Sequence, residues 1–220
     1  MVLTKQLKEE LYKIDGREFF HSEFNLNWAI QASVEPTVIF DIGAYDCGDA
    51  IRFKNHFAHA EVYSFEADPE RAKKIKEYIW EYRVNFYDHA ISSIDGDIEF
   101  YPCVSDTFAQ GSIYQHTNRY KTLYANVNQL EKIMIKSKRI DTFCEEKKIT
   151  SIDIAHIDVE GAEMEVINGL GILRPKILYI ETLAGCFDNK ISIQEIHEKL
   201  VSLGYELIKD YISNRFYYHT

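Results

Sequence analysis

The stretch Val38-Ile-Phe-Asp-Ile-Gly-Ala-Tyr-Asp-Cys-Gly-Asp49 decides the fold of this chain. An apolar run enters it, and the glycines Gly43 and Gly48 follow. This pattern is typical of a buried strand that ends in a tight turn leading into a helix. In an open α/β sheet, ligands bind beyond the carboxyl ends of the strands. The turn is therefore the first candidate for a binding site.

Apolar runs and helix-like patterns alternate along the rest of the chain, which predicts an α/β fold with a mostly parallel sheet and helices on both faces. We expect residues 1–36 to form a helical extension and residues 37–220 a single globular unit. The polar and aromatic residues 103–130 lack a clear period and are interpreted as a long functional or mobile loop. The predicted strands are residues 37–42, 61–65, 84–91, 97–101, 152–157 and 176–180, with a terminal antiparallel hairpin at 205–211 and 215–219. The predicted helices are residues 3–14, 48–57, 69–82, 162–170 and 193–203.

The composition excludes several classes of protein. The chain has 220 residues, of which 46% are hydrophobic, and this is enough for one sizeable core. A formal charge of −10 opposes nucleic-acid binding, which needs a positive face. No apolar run reaches the ~18 residues of a membrane helix, and the first thirty residues lack the apolar core of a signal peptide. Four scattered cysteines suggest free thiols, so we expect a cytoplasmic protein without membrane insertion.

The turn favours a nucleoside without a pyrophosphate. Gly43 and Gly48 match the outer positions of G-x-G-x-x-G, but Tyr45 occupies the middle position, where a dinucleotide needs glycine. Asp41 at the strand end would repel a pyrophosphate and suits an ammonium group instead. Glu66 ends the next strand, where a carboxylate can accept both ribose hydroxyls. S-adenosyl-L-methionine has a ribose and an α-ammonium and no phosphate, so it fits this set.

Two later stretches carry a more specific signal: Arg139-Ile-Asp-Thr-Phe-Cys144, and residues 152–169, which read IDIAHIDVEGAEMEVING. Together they resemble the signature of the FkbM-type S-adenosylmethionine-dependent methyltransferases. The resemblance covers most of the chain from Val38 onward and includes VIFDIGAYDCGD and, at residues 62–70, VYSFEADPE. It implies a Rossmann-like class I methyltransferase sheet with an antiparallel last strand, and methyl transfer to a hydroxyl of a sugar or natural product. Tyr45 stands where the family commonly has Asn, and Ala67 where it has Pro.

The resemblance also implies a set of cofactor-binding residues. By position, the first loop lies against the methionine end, Glu66 binds the ribose, the residues after it and those after the third strand approach the adenine, and Asp158 faces the reacting centre. The full set is Asp41, Gly43, Ala44, Tyr45, Glu66, Ala67, Asp68, Asp88, His89, Ala90 and Asp158. The product would be S-adenosyl-L-homocysteine.

Carboxylates after the strands at 152–157 and 176–180 are the candidates for catalysis. A sugar hydroxyl is a poor nucleophile and benefits from a base. Asp158 is the first choice for that base, and Glu181 could bind acceptor hydroxyls or act as a second base. Glu160 is either functional or a partner of the helix dipole. Glu163 is more simply a solvent-facing helix residue. Asp158, Glu160 and Glu181 could together hold a divalent metal ion, which nothing in their spacing requires.

Histidines give further alternatives. His156 shares a strand face with Asp158 and could orient it, although its place in mid-strand favours a buried core histidine. His89 and His116 are alternative bases, and His116 is expected to be exposed.

The leading hypothesis is an O-methyltransferase that acts on a sugar, a glycan or a glycosylated small molecule. The aromatic residues of 103–130 weakly support a carbohydrate acceptor. One alternative is an NAD-dependent oxidoreductase of Rossmann type, which Tyr45, Asp41 and the signature at residues 152–169 oppose. Another is a non-catalytic module that binds S-adenosylmethionine. The oligomeric state stays open.

Overall fold

A computed structural model describes residues 35–104, 110–211 and 213–220. The helix predicted over residues 3–14 lies outside these ranges. In chain order the strands are β1 (Val38–Ile42), β2 (Glu61–Phe65), β3 (Asn85–Tyr87), β4 (Ala90–Ile91), β5 (Gly96–Phe100), β6 (Cys103–Val104), β7 (Asn128–Gln129), β8 (Ile133–Lys138), β9 (Ile154–Ile157), β10 (Ile177–Glu181), β11 (Tyr205–Tyr211) and β12 (Asn214–His219). The helices are α1 (Gly48–His56), α2 (Pro69–Ile75), α3 (Asn118–Leu123), α4 (Ile140–Lys147), α5 (Glu163–Asn168) and α6 (Ile193–Ser202).

The central sheet has the order β11-β12-β10-β9-β1-β2-β3. Neighbouring strands from β3 to β10 run parallel, whereas β12 is antiparallel to both β10 and β11. This arrangement is the Rossmann-like class I methyltransferase sheet, so the predicted fold class is confirmed, as is the terminal hairpin. From β1 the chain adds β2 and β3 on one side of the sheet, and β9 and β10 later fill the other side. The order of strands therefore switches direction at β1, and ligands of such sheets bind beyond the carboxyl ends of the strands at this switch point.

Apolar side chains fill both faces of the sheet. One face packs Ile39, Val62 and Ile154 against Phe53 of α1. The other packs against α4, α5 and α6, whose residues Phe143, Val166 and Leu200 are buried. Helices on both faces explain why the central strands are apolar on both sides and read as continuous apolar runs.

The helix after β2 begins as predicted and ends earlier. Asp68 caps it by accepting hydrogen bonds from the backbone N–H groups of Glu70 and Arg71, and Pro69 occupies its first position. The α-helix ends at Ile75, and residues 79–82 form a separate 3₁₀ turn. Between them, the Tyr78 hydroxyl donates to the carbonyl oxygen of Asp46, 2.7 Å away. That bond ties the segment back to the β1–α1 loop.

The predicted strand over residues 84–91 is two strands in different sheets. β3 extends the central sheet, whereas β4 joins β8 and β5 in a three-stranded sheet. The strand is interrupted at Asp88 and His89 because β4 pairs with the distant strand β8, whereas β3 pairs with β2.

The described part of residues 103–130 is an ordered insertion, and the expectation of a long loop was wrong there. It contains β6, α3 and β7, and Thr117 caps α3 through its hydroxyl. Tyr120 is fully buried and stacks on His116, with ring centroids 3.6 Å apart, beside Phe187. The aromatic residues therefore build a small core of their own, and Phe108 lies outside the described residues.

Two further features concern the chain as a whole. No helix in the described ranges is long and apolar enough to cross a membrane. All four cysteines are buried and unpaired with one another.

Candidate active site

A cleft of about 700 Å³, measured out to its open mouth, lies beyond the carboxyl ends of β1, β2 and β9. Its volume is in the range of small-molecule sites. Segments that are distant in sequence form its walls. The lining residues are Ile42, Gly43, Tyr45, Phe65, Glu66, Ala67, Asp68, Arg71, His89, Ala90, Ile91, Phe100, Gly111, Ser112, Ile113, Asp158, Val159, Glu160 and Ala162.

The β1–α1 loop forms one wall through backbone that only glycine allows. Gly43 has φ +90°, and a Cβ there would lie 1.7 Å from the carbonyl oxygen of Asp158. Its N–H donates to the carbonyl oxygen of Phe65, as does that of Ala44. Ala44 is buried and lies outside the lining of the cleft. Gly43 therefore locks the loops after β1, β2 and β9 together.

The Asp41 carboxylate does not line the cleft. It is 1% exposed, accepts a hydrogen bond from the Ser64 hydroxyl at 2.9 Å and lies 3.0 Å from Nδ1 of His156. A direct contact between this carboxylate and the methionine end stays a prediction. In the structure both of its oxygens already have protein partners.

Glu66 presents its carboxylate to the cleft. One oxygen accepts the N–H of Tyr45 at 2.8 Å and the other accepts the N–H of Asp68 at 2.7 Å. Each oxygen keeps a second lone pair, so the group can still accept two hydroxyls. Burial raises the pKa of Glu66 to about 7, although the two N–H groups and the charge of Arg71 lower it.

Tyr45 and Arg71 line the cleft and stack on one another. The Arg71 guanidinium carbon lies 4.5 Å from the centre of the Tyr45 ring. Tyr45 has a left-handed φ of +53°, which is uncommon for a bulky residue. Its side chain is 43% exposed. Arg71 was missed in the sequence, because only the direction of α2 brings it over the loop.

The residues after β3 divide between cleft and surface. His89 and Ala90 line the cleft, and Nε2 of His89 is buried without a hydrogen-bond partner. Burial lowers the pKa of His89, so the ring is neutral at pH 7. Asp88 is exposed, outside the cleft lining, and forms an ion pair with Lys76. Its place beside the adenine stays a prediction.

Carboxyl groups crowd the end of the cleft beyond β9 and β10. Asp158 and Glu160 line it, and Glu181 lies behind them, hydrogen-bonded to Asp158. Burial raises the pKa of Asp158, and the charge of Glu181 raises it further. Burial and the charge of Asp158 raise the pKa of Glu160 in the same way. Carboxyl groups with raised pKa values in a cleft suit acid–base work.

The turn between β9 and α5 is strained at Glu160. This residue has φ +51°, and its Oε2 is buried without a hydrogen-bond partner. Strain and an unsatisfied buried oxygen are both typical of functional positions. Glu163 is 3% exposed and accepts the N–H of Gly161 at 2.9 Å, so its interpretation as a solvent-facing residue was wrong. Burial raises the pKa of Glu163 to about 7.

The remaining histidine alternatives are buried. His116 is 5% exposed and its Nε2 lies 3.0 Å from the carbonyl oxygen of Gln110, which contradicts the expectation of an exposed ring. His156 is 6% exposed, which agrees with a core histidine. Within the described ranges, no group of three or more histidine, cysteine, aspartate or glutamate side chains is arranged to hold a metal ion.

The donor set of the cleft fits S-adenosylmethionine. Glu66 offers two acceptors where a ribose needs them, and the unpartnered nitrogen of His89 lies beside the apolar Ala90 and Ile91, as a purine edge and face require. Among the described residues, no lysine lines this cleft, and Arg71 is stacked on Tyr45. Ser112 and Gly111, which complete the wall, come from the insertion and carried no sequence signal.

Sheet order, reversed last strand and a cleft beyond β1 define the class I methyltransferase fold. Residues 41–207 match the model of the methyltransferase FkbM domain. The chain belongs to the FkbM methyltransferase family.

Among curated proteins, the 2-O-methyltransferase NoeI of Sinorhizobium fredii is 34% identical over 167 residues, which cover 73% of this chain. The chain spans 65% of the length of that relative. Among solved structures, the methyltransferase FkbM from Methylobacillus flagellatus superposes with a TM-score of 0.47 at 11% identity, covering 84% of this chain and 44% of that one. M. jannaschii TYW2 in complex with AdoMet gives a TM-score of 0.41 at 13% identity, covering 100% of this chain and 79% of that one.

Proposed function

We propose that this chain is an S-adenosylmethionine-dependent O-methyltransferase whose acceptor is a hydroxyl of a sugar, a glycan or a glycosylated small molecule. The observation that carries the proposal is the pairing of two carboxylates across one cleft. Glu66 suits a ribose at one end, and Asp158 suits a hydroxyl proton at the other. Free, buried cysteines agree with a reducing compartment, so we place the protein in the cytoplasm.

Bound S-adenosylmethionine supplies the methyl group on a sulfonium, already activated for displacement. The chain must then hold, align and desolvate the reactants. Glu66 would hold the ribose, and the walls around His89 would hold the adenine. Gly43 keeps the β1–α1 loop close to Asp158, so that the methionine end lies beside the base.

Asp158 would accept the acceptor's hydroxyl proton on a carboxylate oxygen. The methyl group would pass from sulfur to that hydroxyl oxygen, with the S–C bond broken as the O–C bond forms and S-adenosylhomocysteine as the leaving group. Glu181, hydrogen-bonded to Asp158, orients that carboxyl group. The unpartnered Oε2 of Glu160 is an acceptor for a second hydroxyl of the same substrate. A polyol satisfies both carboxylates at once, which favours a sugar over a simple alcohol. The name of NoeI, a 2-O-methyltransferase, supports transfer to oxygen.

The first test is calorimetric titration with S-adenosylhomocysteine on the wild type, Glu66→Ala and Glu70→Ala. Glu70 is an exposed glutamate on α2 outside the cleft, which makes it a matched control. We expect micromolar binding by the wild type and by Glu70→Ala. Glu66→Ala should bind at least about tenfold more weakly, because it loses a charged partner of the ribose.

A panel of neutral mono- and oligosaccharides then tests transfer, with S-adenosylhomocysteine release as the readout. Release that depends on the acceptor supports the enzyme. Tight binding without release from any acceptor would favour the non-catalytic module. Failure of the wild type to bind S-adenosylhomocysteine, together with binding of NAD, would overturn the proposal in favour of the oxidoreductase.

A further inference from the structure

A row of polar side chains lies directly beneath the reacting edge of the sheet. Asp41, His156 and Tyr179 are register neighbours on β1, β9 and β10. Asp158 directly follows β9, and its N–H continues the ladder by donating to the carbonyl oxygen of Ile42. Side chains two residues apart in such extended backbone share a face, which places Asp158 on the face of His156. The rise of a strand puts the two residues about 6.6 Å apart.

His156 is held in this row as a cation. Its Nδ1 lies 3.0 Å from one Asp41 oxygen, and the Ser64 hydroxyl donates to the other oxygen at 2.9 Å. Burial lowers the pKa of His156, but the hydrogen bond to Asp41 and the charges of Asp49, Asp41 and Asp158 raise it to about 9. The Tyr179 ring, 5.1 Å away between centroids, closes the row on the β10 side. At neutral pH the ring is therefore an imidazolium.

Among the described residues, the groups that raise the pKa of Asp158 are acidic. Glu181 reaches it from β10, and Glu163 from α5, and both raise its pKa, as burial does. Glu160 lies beside it in the β9–α5 turn, and the neutral Tyr124 hydroxyl faces it from the insertion. His156 carries the opposite charge, and it lowers the pKa of Asp158.

We propose that His156 is a positioning residue, whose imidazolium, held by Asp41 beneath the reacting edge, stabilises the carboxylate of Asp158 for its work on the acceptor. The proposal rests on the proposed function, because it takes Asp158 as the group that faces the donor sulfur and accepts the acceptor proton. His156 touches no reactant and acts through the charge of Asp158.

The ligand pair S-adenosylmethionine and S-adenosylhomocysteine reports this ionisation without an acceptor. The first carries a positive sulfonium and the second a neutral thioether. An ionised Asp158 beside the sulfur favours the first. The measured quantity is the dissociation constant of S-adenosylhomocysteine divided by that of S-adenosylmethionine, obtained by calorimetry from pH 5.5 to 9. In the wild type this ratio should therefore rise with pH. Asp158→Asn should flatten that dependence.

His156→Gln removes the buried positive charge and keeps a hydrogen-bond donor for Asp41. We expect the midpoint of the pH dependence of this ratio to move at least one pH unit higher. Ser64→Ala is the matched control, because it removes a neutral bond to the same Asp41 and leaves the imidazolium in place. His156→Lys, which keeps a cation, should restore a midpoint near that of the wild type.

Three results decide the matter. A His156→Gln midpoint equal to that of the wild type, or a ratio that does not change with pH in the wild type, overturns the role of His156 and leaves the methyltransferase standing. A wild type that binds neither ligand removes the proposed function itself. If His156→Gln does not fold, ¹⁵N NMR of the wild-type imidazole decides, and a neutral His156 ring at pH 7 would sink the proposal.

Discussion

Gly43 meets two constraints at once, and they can be separated. Its φ of +90° disfavours any side chain, and a Cβ would also lie 1.7 Å from the backbone oxygen of Asp158, which cannot retreat like a side chain. Gly96 has φ +121° and no atom within 4 Å of a Cβ. Gly43→Ala should therefore lower the free energy of unfolding by about 2 kcal/mol more than Gly96→Ala. Urea denaturation of both variants measures the difference.

Equal losses for the two alanine variants would mean that only the backbone conformation matters at Gly43. The loop after β1 would then have room to move away from β9, and the close approach of the two loops would not be needed for the fold.

Asp158 should show its role through the dependence of the rate on pH. Burial and Glu181 raise the pKa of this carboxyl, and a base must be ionised to accept a proton, so the wild-type rate should fall as the pH drops below that raised pKa. Asp158→Asn should lower the single-turnover rate by about 10²–10⁴-fold with the acceptor that the sugar panel identifies. S-adenosylhomocysteine binding should persist. A variant rate within threefold of the wild type, roughly the scale of a minor contact, would exclude Asp158 as the base.

The buried carboxyl group of Glu163, which binds the β9–α5 turn, should make the free energy of unfolding depend on pH. Burial raises the pKa of Glu163 to about 7 from an ordinary value of 4.5. Its contribution to stability is therefore complete below pH 4.5 and is lost as the pH rises through 7. Glu163→Gln keeps an acceptor for the N–H of Gly161. It should match the wild type at pH 4.5 and exceed it by up to about 3 kcal/mol at pH 8.

Urea denaturation at both pH values tests this prediction. Glu145→Gln is the control, since Glu145 is exposed on α4 and its replacement should change little at either pH. The same stability difference for Glu163→Gln at pH 4.5 and pH 8 would show that Glu163 ionises normally in the folded chain.

The elements that local sequence determines were predictable, and those that depend on distant pairing were not. β2 coincides with its predicted bounds, Glu61–Phe65, because a short run rich in β-branched and aromatic residues between turns predicts a strand. Residues 84–91 read as one strand, since nothing local shows that Ala90 and Ile91 pair with β8. The order of the insertion was not predicted for the same reason. Tyr120 packs against His116 and against Phe187, and Phe187 is distant in the sequence.

The residues of the candidate site also include some that local sequence could predict and some that it could not. Gly43, Glu66 and Asp158 follow strand ends, so their place at the cleft could be predicted from sheet geometry. Asp88 follows a strand too, but the break after β3 turns its side chain to Lys76. Arg71 could not be foreseen, because its place over Tyr45 depends on the direction in which α2 leaves the sheet.

The whole molecule makes the cleft from segments that only the complete fold brings together. The first loop, residues 43–45, lies against the loop after β9, residues 158–162, and the insertion supplies residues 111–113. Ordering the cleft therefore means ordering the central sheet and the insertion at once. A ligand that binds only this assembled state should stabilise all of it, and residues 37–220 should behave as one unit.

Thermal unfolding with S-adenosylhomocysteine tests that unity. At a concentration of 100 times the dissociation constant, the ligand should add about 2.7 kcal/mol, which corresponds to a rise in Tm of about 5–10 °C for a domain of this size. Glu66→Ala, which should bind at least about tenfold more weakly, should gain at most about 1.4 kcal/mol at the same concentration, about half the stabilisation of the wild type. Glu70→Ala should rise as the wild type does. The central sheet and the insertion should melt in one transition, with and without ligand. Two transitions, of which the ligand moves one, would mean that the cleft belongs to a unit that unfolds apart from the rest of the sheet.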